Sequence, residues 1–399
     1  MKNTLILITR EFPFGRNETF LESEIVILSK HFDNIIVFPS IKSKSCRTIP
    51  ENVKLDLTIA DLYNRKSCLV LKSILTTYFF NTIFSYYFQI KSFRKLINLL
   101  KYIVSYNIYK HAAKLILAKN PTIIYSYWLS PAVDALVDVR LKYNYKSKIV
   151  SRAHRGDLYE EFSSLGFFPH RATKIHRIDT IYSISFDGLL YLKQKYNFLN
   201  TKLSRLGVFE KSYISKSSNP GHISIVSVSN VIPVKRVDLI ARSILQVALN
   251  YPDINIQWNH FGDGNEMGKV ISLLNNSSYK NFDYKFHGRI PNIEIYNFYS
   301  NNIVDCLINL SISEGIPVSM MEAISFGIPL IGTNVGGVSE IINDTTGILL
   351  PPNPSLGEVE KAILKINSFK KEKYSIKRFW ADNYSADNNY TKFAIELIN

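Results

Sequence analysis

Glu314 and Glu322 stand eight positions apart in the stretch ISEGIPVSMMEAISFGIPLIGTNVGGVSEII, with Pro317 between them and glycine-containing breaks behind them. Pro317 suits a first helical position, where its missing N–H would be unpaired anyway, and Gly327 with Pro329 stops a helix. The spacing therefore predicts a short helix from about Pro317 to Phe326. The apolar runs IVDCLINLS before it and PLIGTN after it read as buried parallel strands. In this βαβ unit Glu314 lies in the loop at the carboxyl end of a strand, the edge at which open α/β sheets take their ligands, and Glu322 lies within the following helix. The backbone N–H groups of Gly315, Ile316 and Val318 at the helix start suit a phosphate. Carboxylates beside a phosphate seat repel the anion, so their use there is to accept hydrogen bonds from hydroxyls, such as those of a sugar and a ribose. Taken singly, each glutamate reads more plainly as a helix-start charge or a solvated surface residue; the strand context favours the hydroxyl reading.

This run, with Gly327, Pro329 and the Gly336–Gly337 pair before Glu340, resembles the E-x7-E signature of retaining glycosyltransferases of family 4. The resemblance implies the GT-B fold: α/β, two doubly wound Rossmann-like domains facing a central cleft, with a C-terminal helix crossing back to the first domain. It implies an acceptor-binding domain over residues 1–208 with a return helix at about 376–399, and a nucleotide-sugar-binding domain over 221–375. The residues agree in outline. NTLILIT, DNIIVFPS, TIIYSYW, KIVSRAH and TIYSIS read as strands of a first series, and HISIVSVS, INIQWNHFGDG and DYKFHGRI open a second. Ser217 to Gly221, SSNPG, is the strongest linker signal between them.

Moving a sugar from a nucleotide donor requires neutralising a diphosphate as it leaves. No Asp-x-Asp pair is present to hold a metal, so no metal or other cofactor is expected, and cations and helix ends must serve. SNVIPVKRVDLI resembles the family segment in which an arginine and, five residues later, a lysine hold the diphosphate. Lys235 falls on the lysine, whereas Asn230 stands at the arginine position, which removes one cation. SRAHRGDLYEE resembles the family's His-x-x-Asp segment, implying that His154 faces the donor sugar and that Asp157 lies near the next helix start on the acceptor side. Relatives place acceptor contacts in the loop REFPFGRNET, which makes Gly15 and Arg16 candidates. Gly262 and Gly264 permit close backbone approach to the nucleotide, and Arg289 and Ile290 lie where relatives hold the base, largely by main chain. A plain turn accounts for Asp263 equally well.

The 399 residues suit two domains, and 46% apolar content supports a core in each. Three scattered cysteines without metal spacing and an N-terminus unlike a signal peptide point to the cytoplasm. The net charge of +15 points to an anionic partner, and it is uneven: between Asp61 and Asp134 there are ten Lys or Arg and no acidic residue. The same region holds TTYFFNTIFSYYFQI. Ser73 to Ile90 is 18 residues without a charge, but Ser73, Thr77, Asn81, Ser85 and Gln89 recur as one polar stripe, which fits an amphipathic helix better than a membrane span. Its aromatic face is either core or a contact with an anionic membrane surface, peripheral at the inner face of the plasma membrane. No nucleic-acid motif is present. The expected activity is retaining, metal-independent transfer from a UDP- or GDP-sugar to a growing, lipid-linked glycan of surface polysaccharide such as O-antigen, capsule or exopolysaccharide. The alternatives are a sugar-nucleotide epimerase on the same fold and a nucleotide-sugar-binding protein with reduced catalysis, the latter supported by Asn230 alone.

Overall fold

The computed structural model describes residues 3–15, 17–65, 70, 73–275, 277 and 279–399. Arg16 among the candidate site residues, and Lys66, Lys72 and Cys68, lie outside the described residues. The chain forms two compact units, one comprising the residues up to Leu206 with Asp387–Asn399, the other Gly207–Ala386.

The first unit carries a wholly parallel sheet of β1 (Thr4–Thr9), β2 (Asn34–Pro39), β3 (Val53–Leu55), β4 (Ile123–Ser126), β5 (Lys148–Ala153), β6 (Thr180–Ser183) and β7 (Thr201–Leu203), in the order β3-β2-β1-β4-β5-β6-β7. Successive residues of β1 feed opposite faces, as the two-residue period of a strand requires. Ile6 and Ile8 pack with Ile124, Ala113 and Val133 on one side, while Leu5 and Leu7 pack with Leu21, Ile25, Phe393 and Leu397 on the other. The last two belong to the C-terminal helix Ala386–Ile398. That helix is bound further by Arg152, which is fully buried, pairs with Glu24 at 3.1 Å, donates to Ser204 O at 2.7 Å and lies 4.4 Å from the Phe393 ring. A buried charge needs this much compensation to be held.

The second sheet is also parallel: β8 (His222–Val228), β9 (Asn255–Phe261), β10 (Phe282–Phe286), β11 (Cys306–Asn309), β12 (Leu330–Thr333) and β13 (Gly347–Leu350), in the order β10-β9-β8-β11-β12-β13. Two boundaries differ from expectation. The segment Ser217–Gly221 is held inside the second unit, with Ser218 N donating to Asp305 at 2.9 Å and Lys370 donating to Ser218 O; the unit begins at Gly207. The return also starts later than residue 376. The helix Lys373–Tyr384 stays with the second unit because Ile376, Trp380 and Tyr384 are buried and Lys373 Nζ donates to Ser215 O at 2.7 Å.

The uncharged aromatic segment is likewise shorter as a helix than its polar stripe suggests, running from Thr77 to Tyr86 with Thr76 as its cap. Its aromatics divide. Tyr78, Phe79, Ile83 and Tyr86 pack against Leu99, Ile103 and Leu165, whereas Phe80, Phe84 and Phe88 are exposed. Among the described residues no helix is long and apolar enough to cross a membrane.

Candidate functional site

In the second sheet the strand order reverses between β8 and β11, and a crevice at such a reversal is where doubly wound sheets bind ligands. The chain leaving β8 makes a short turn, Pro233–Lys235, and Arg236 then adopts a left-handed conformation, φ +48°, before the helix Val237–Asn250. This reversal separates the two neighbouring cations. Arg236 turns to the sheet edge and donates to the carbonyls of Leu310, Ser311 and Pro352. Lys235 instead donates from Nζ to Glu314 Oε1, which also accepts from Asn309 Nδ2 at 3.1 Å. Asn309 is itself fixed by Ser311, whose N–H and hydroxyl donate to its Oδ1 at 3.0 and 2.5 Å. Glu314 is buried to 8% residual exposure.

The next helix runs Val318–Ser325 with Pro317 as its cap, one residue shorter at each end than its sequence suggests. Gly315 and Ile316 therefore sit in the loop before the helix, and Val318 supplies its first N–H. Gly336, φ +52°, passes so close to this loop that a Cβ on it would lie 2.0 Å from Glu314 O, and Gly337 N donates to Gly315 O at 2.9 Å. The glycine pair thus lets the loop after β12 lie flat on the loop bearing the carboxylate.

Glu322 lies elsewhere on that helix and is engaged differently. Its Oε1 accepts from Tyr296 OH at 2.6 Å and from Asn292 Nδ2 at 3.1 Å, and the Lys211 ammonium lies 4.0 Å from the Tyr296 ring. Burial pushes its carboxyl up to about 7, against the opposing pull of Tyr296 and Lys211. Nearby, the loops after β8, β9 and β10 are knitted together: Gly262, φ +142°, lies against Ser229 O and donates to Gly288 O at 2.8 Å, while Val231 N donates to Asp263 O at 3.0 Å. Asn230 and Arg289 are exposed beside these contacts, and Ile290 is half-buried.

In the first unit His154 caps the short helix Arg155–Leu158 at the end of β5. It is buried, with ring centroids 4.5 Å from Trp128 and 4.7 Å from Tyr127, and its Nε2 donates to Tyr127 O at 3.2 Å. Burial, with Arg152 adding repulsion, holds the imidazole down to about 3, so it is neutral. Asp157 is engaged by the backbone: its two oxygens accept from His154 N at 2.6 Å and Leu129 N at 2.7 Å, so it clamps the loops after β4 and β5. Gly15 lies in the loop after β1, its N–H donating to Ser43 and its carbonyl accepting from Arg47 at 3.0 Å. That loop is set by buried Glu18, which accepts from the N–H groups of Arg10, Glu11 and Phe12 and from Trp128 Nε1.

Lys211, Tyr296, Asn309 and Glu18 are missed by the sequence reading. A signal exists for Asn309, a polar residue closing the apolar strand CLIN; Lys211 and Tyr296 reach Glu322 only through folding. Among the described residues no group of three or more His, Cys, Asp or Glu is placed to hold a metal ion.

Residues 209–378 match the family described as glycosyl transferases group 1. One component of the human phosphatidylinositol N-acetylglucosaminyltransferase is 31% identical over 150 residues, 37% of this chain and 30% of that protein. This chain spans less than half the length of the curated relatives it matches. Two solved structures share the whole fold. The lipopolysaccharide outer core galactosyltransferase WaaB superposes with a TM-score of 0.70 at 15% identity, covering 99% of both chains. The Anabaena protein HepE, in complex with UDP and glucose, gives 0.65 at 13% identity, also covering 99% of both. The fold is GT-B, and the match to glycosyl transferases group 1, residues 209–378, falls within the second unit.

Proposed function

We propose that the protein transfers a sugar, with retention and without a metal, from a nucleoside-diphosphate sugar to a hydroxyl of a lipid-linked glycan. The observation that carries this reading is the Lys235–Glu314 pair at the reversal of the second sheet, beside the start of the Val318–Ser325 helix. In the structure the ammonium and the carboxylate neutralise each other. An arriving diphosphate is a stronger partner for Lys235 and for the helix N–H groups, and Glu314 is then released to accept from the sugar hydroxyls. The sugar C1–O bond breaks with its electron pair passing to the diphosphate, where Lys235 stabilises the charge. The acceptor oxygen bonds C1 from the same face, and its proton goes to the departing phosphate oxygen. Neutral His154 adds no charge, and its Nε2–H, directed to Tyr127 O in the structure, turns to the sugar when the donor arrives.

UDP is the favoured nucleotide, since HepE is a fold relative bound to UDP and glucose. A lipid acceptor and a role in surface polysaccharide are supported by the likeness to a lipopolysaccharide galactosyltransferase and to a component of a phosphatidylinositol N-acetylglucosaminyltransferase. They are supported also by the exposed Phe80, Phe84 and Phe88 among basic residues, which suit an anionic membrane at the cytoplasmic face. Thermal melting with UDP, GDP and their sugars tests the reading: UDP should raise the melting temperature of the wild type and fail to do so for Lys235→Ala. Equal stabilisation of both proteins would remove Lys235 from the diphosphate site.

A further inference from the structure

A cavity of about 290 Å³ lies within the first unit, between the helix Thr77–Tyr86, the long helix Phe93–Leu117 and the helix Pro131–Tyr143. Lys110, Lys114, Lys142 and Arg177 line it against a single acidic residue, Asp138. Asp138 is already committed. Lys174 reaches one of its oxygens at 2.6 Å, Tyr106 OH donates to the same oxygen at 2.5 Å, and Arg177 lies 3.2 Å from the other. Among the described residues no carboxylate lies within ion-pair distance of Lys110, Lys114 or Lys142. Burial lowers the basicity of Lys110, and the charges of Lys174, Lys142 and Lys114 lower it further against the pull of Asp138. A bound anion relieves that crowding.

The wall formed by the Thr77–Tyr86 helix decides what kind of anion fits. Thr77 and Asn81 line the cavity, and Phe84, seven residues beyond Thr77, falls on the same helix face. Phe80 and Phe84 are 60% and 87% exposed, and Phe88 and Phe93 just beyond are 87% and 77% exposed. The inner face of the same helix is fixed by the stacking of Tyr78 on Tyr106 at 3.8 Å and of Tyr86 on Phe167 at 4.7 Å, so the outer phenyl rings are presented on a firm base. A basic recess bordered by exposed phenyl rings combines a seat for a phosphate with groups that partition into acyl chains.

We propose that this cavity seats the phosphate of an anionic lipid headgroup, with Phe80 and Phe84 entering the bilayer beside it. The proposal deepens the membrane reading above and rests on it for the source of the phosphate. The test is sedimentation of the full chain with phosphatidylcholine vesicles containing either phosphatidylglycerol or, at matched surface charge, oleate. The wild type should favour phosphatidylglycerol by about tenfold, the scale expected when one or two lysines find phosphate rather than diffuse charge. Lys110→Gln with Lys114→Gln and Lys142→Gln should abolish the preference while leaving the melting temperature and oleate binding near wild type. Lys91→Gln with Arg94→Gln and Lys95→Gln, an equal loss of charge outside the cavity, should weaken both vesicles alike. A preference that survives the cavity substitutions, or is absent from the wild type, overturns the proposal while leaving the membrane reading intact. Failure to bind either vesicle overturns both, and stabilisation by inorganic phosphate without vesicle binding overturns the lipid source.

Discussion

The loops after β8 and β11 in one unit and those after β4 and β5 in the other occupy equivalent edges of parallel sheets, yet they are built for opposite electrostatics. In the second unit an ammonium and a carboxylate meet, with side-chain exposures of 22% and 10%. Each is satisfied by the other, and Glu314 by Asn309 as well. In the first unit the candidate histidine packs at a tilt against two aromatic rings and is held neutral, and the nearby carboxylate is engaged by backbone donors. An edge with exchangeable charges suits a ligand whose charge changes during reaction, whereas an edge stripped of charge suits a neutral polyhydroxylated group. The lesson is that position at a sheet edge offers a site, and the side chains' existing commitments decide its chemistry.

The comparison breaks most directly at Lys235. Lys235→Ala should lower transfer by about a hundredfold or more, as loss of a preorganised charge stabiliser does. Because the substitution also leaves Glu314 without its cation, the double variant with Glu314→Ala should lose less than the sum of the singles. Additive losses in a double-mutant cycle would show that the pair does not act as a unit. Glu314→Gln alone should reduce turnover while the protein stays folded, read by circular dichroism beside the assay.

His154 sharpens the other side of the comparison. His154→Gln keeps a donor toward Tyr127 O and should cost about tenfold in turnover, the scale of one hydrogen bond of about 1.4 kcal/mol. It should also flatten the pH dependence of stability. The folded imidazole titrates near 3, below its ordinary 6.5, so the unfolded chain binds the extra proton between those values and stability falls as pH drops through that window. Denaturant melts at pH 7 and pH 5 that shift equally in wild type and variant would contradict this.

Glu322 gives a smaller effect of opposite sign. Its folded carboxyl titrates near 7, above its ordinary 4.5, so its contribution is full below 4.5 and is lost as pH rises through 7. Glu322→Gln should remove that slope and weaken nucleotide binding only several-fold, roughly 1 kcal/mol for one altered hydrogen-bonding group. Unchanged UDP affinity by calorimetry would separate Glu322 from the nucleotide. The smallest effect is expected of a chelator: EDTA should leave the rate unchanged, and restoration of a lost rate by Mg²⁺ or Mn²⁺ would replace the cation-only account of the diphosphate.

The amino-acid sequence by itself determined the parallel strands of both sheets wherever apolar runs of β-branched residues are bounded by Gly, Pro or Asn. The edge strands β3 and β7 escape it because three residues carry too little pattern, and β13, Gly347–Leu350, escapes it as well. It also determined the spacing of Glu314 and Glu322 and the turn chemistry around them, since those depend on local backbone rules. Only the tertiary structure decided which side chains are already spent. Arg236 and Lys235 are neighbours in the chain, and one left-handed residue sends the first to carbonyls and the second to Glu314. Asp157 and His154 share a motif, and loop closure on Leu129 turns the carboxylate into a clamp. Lys211 and Tyr296 come to Glu322 across long stretches of chain, and the aromatic segment divides into inner and outer faces through contacts with a distant helix. Such commitments come from long-range packing and hydrogen bonding, which sequence spacing does not encode.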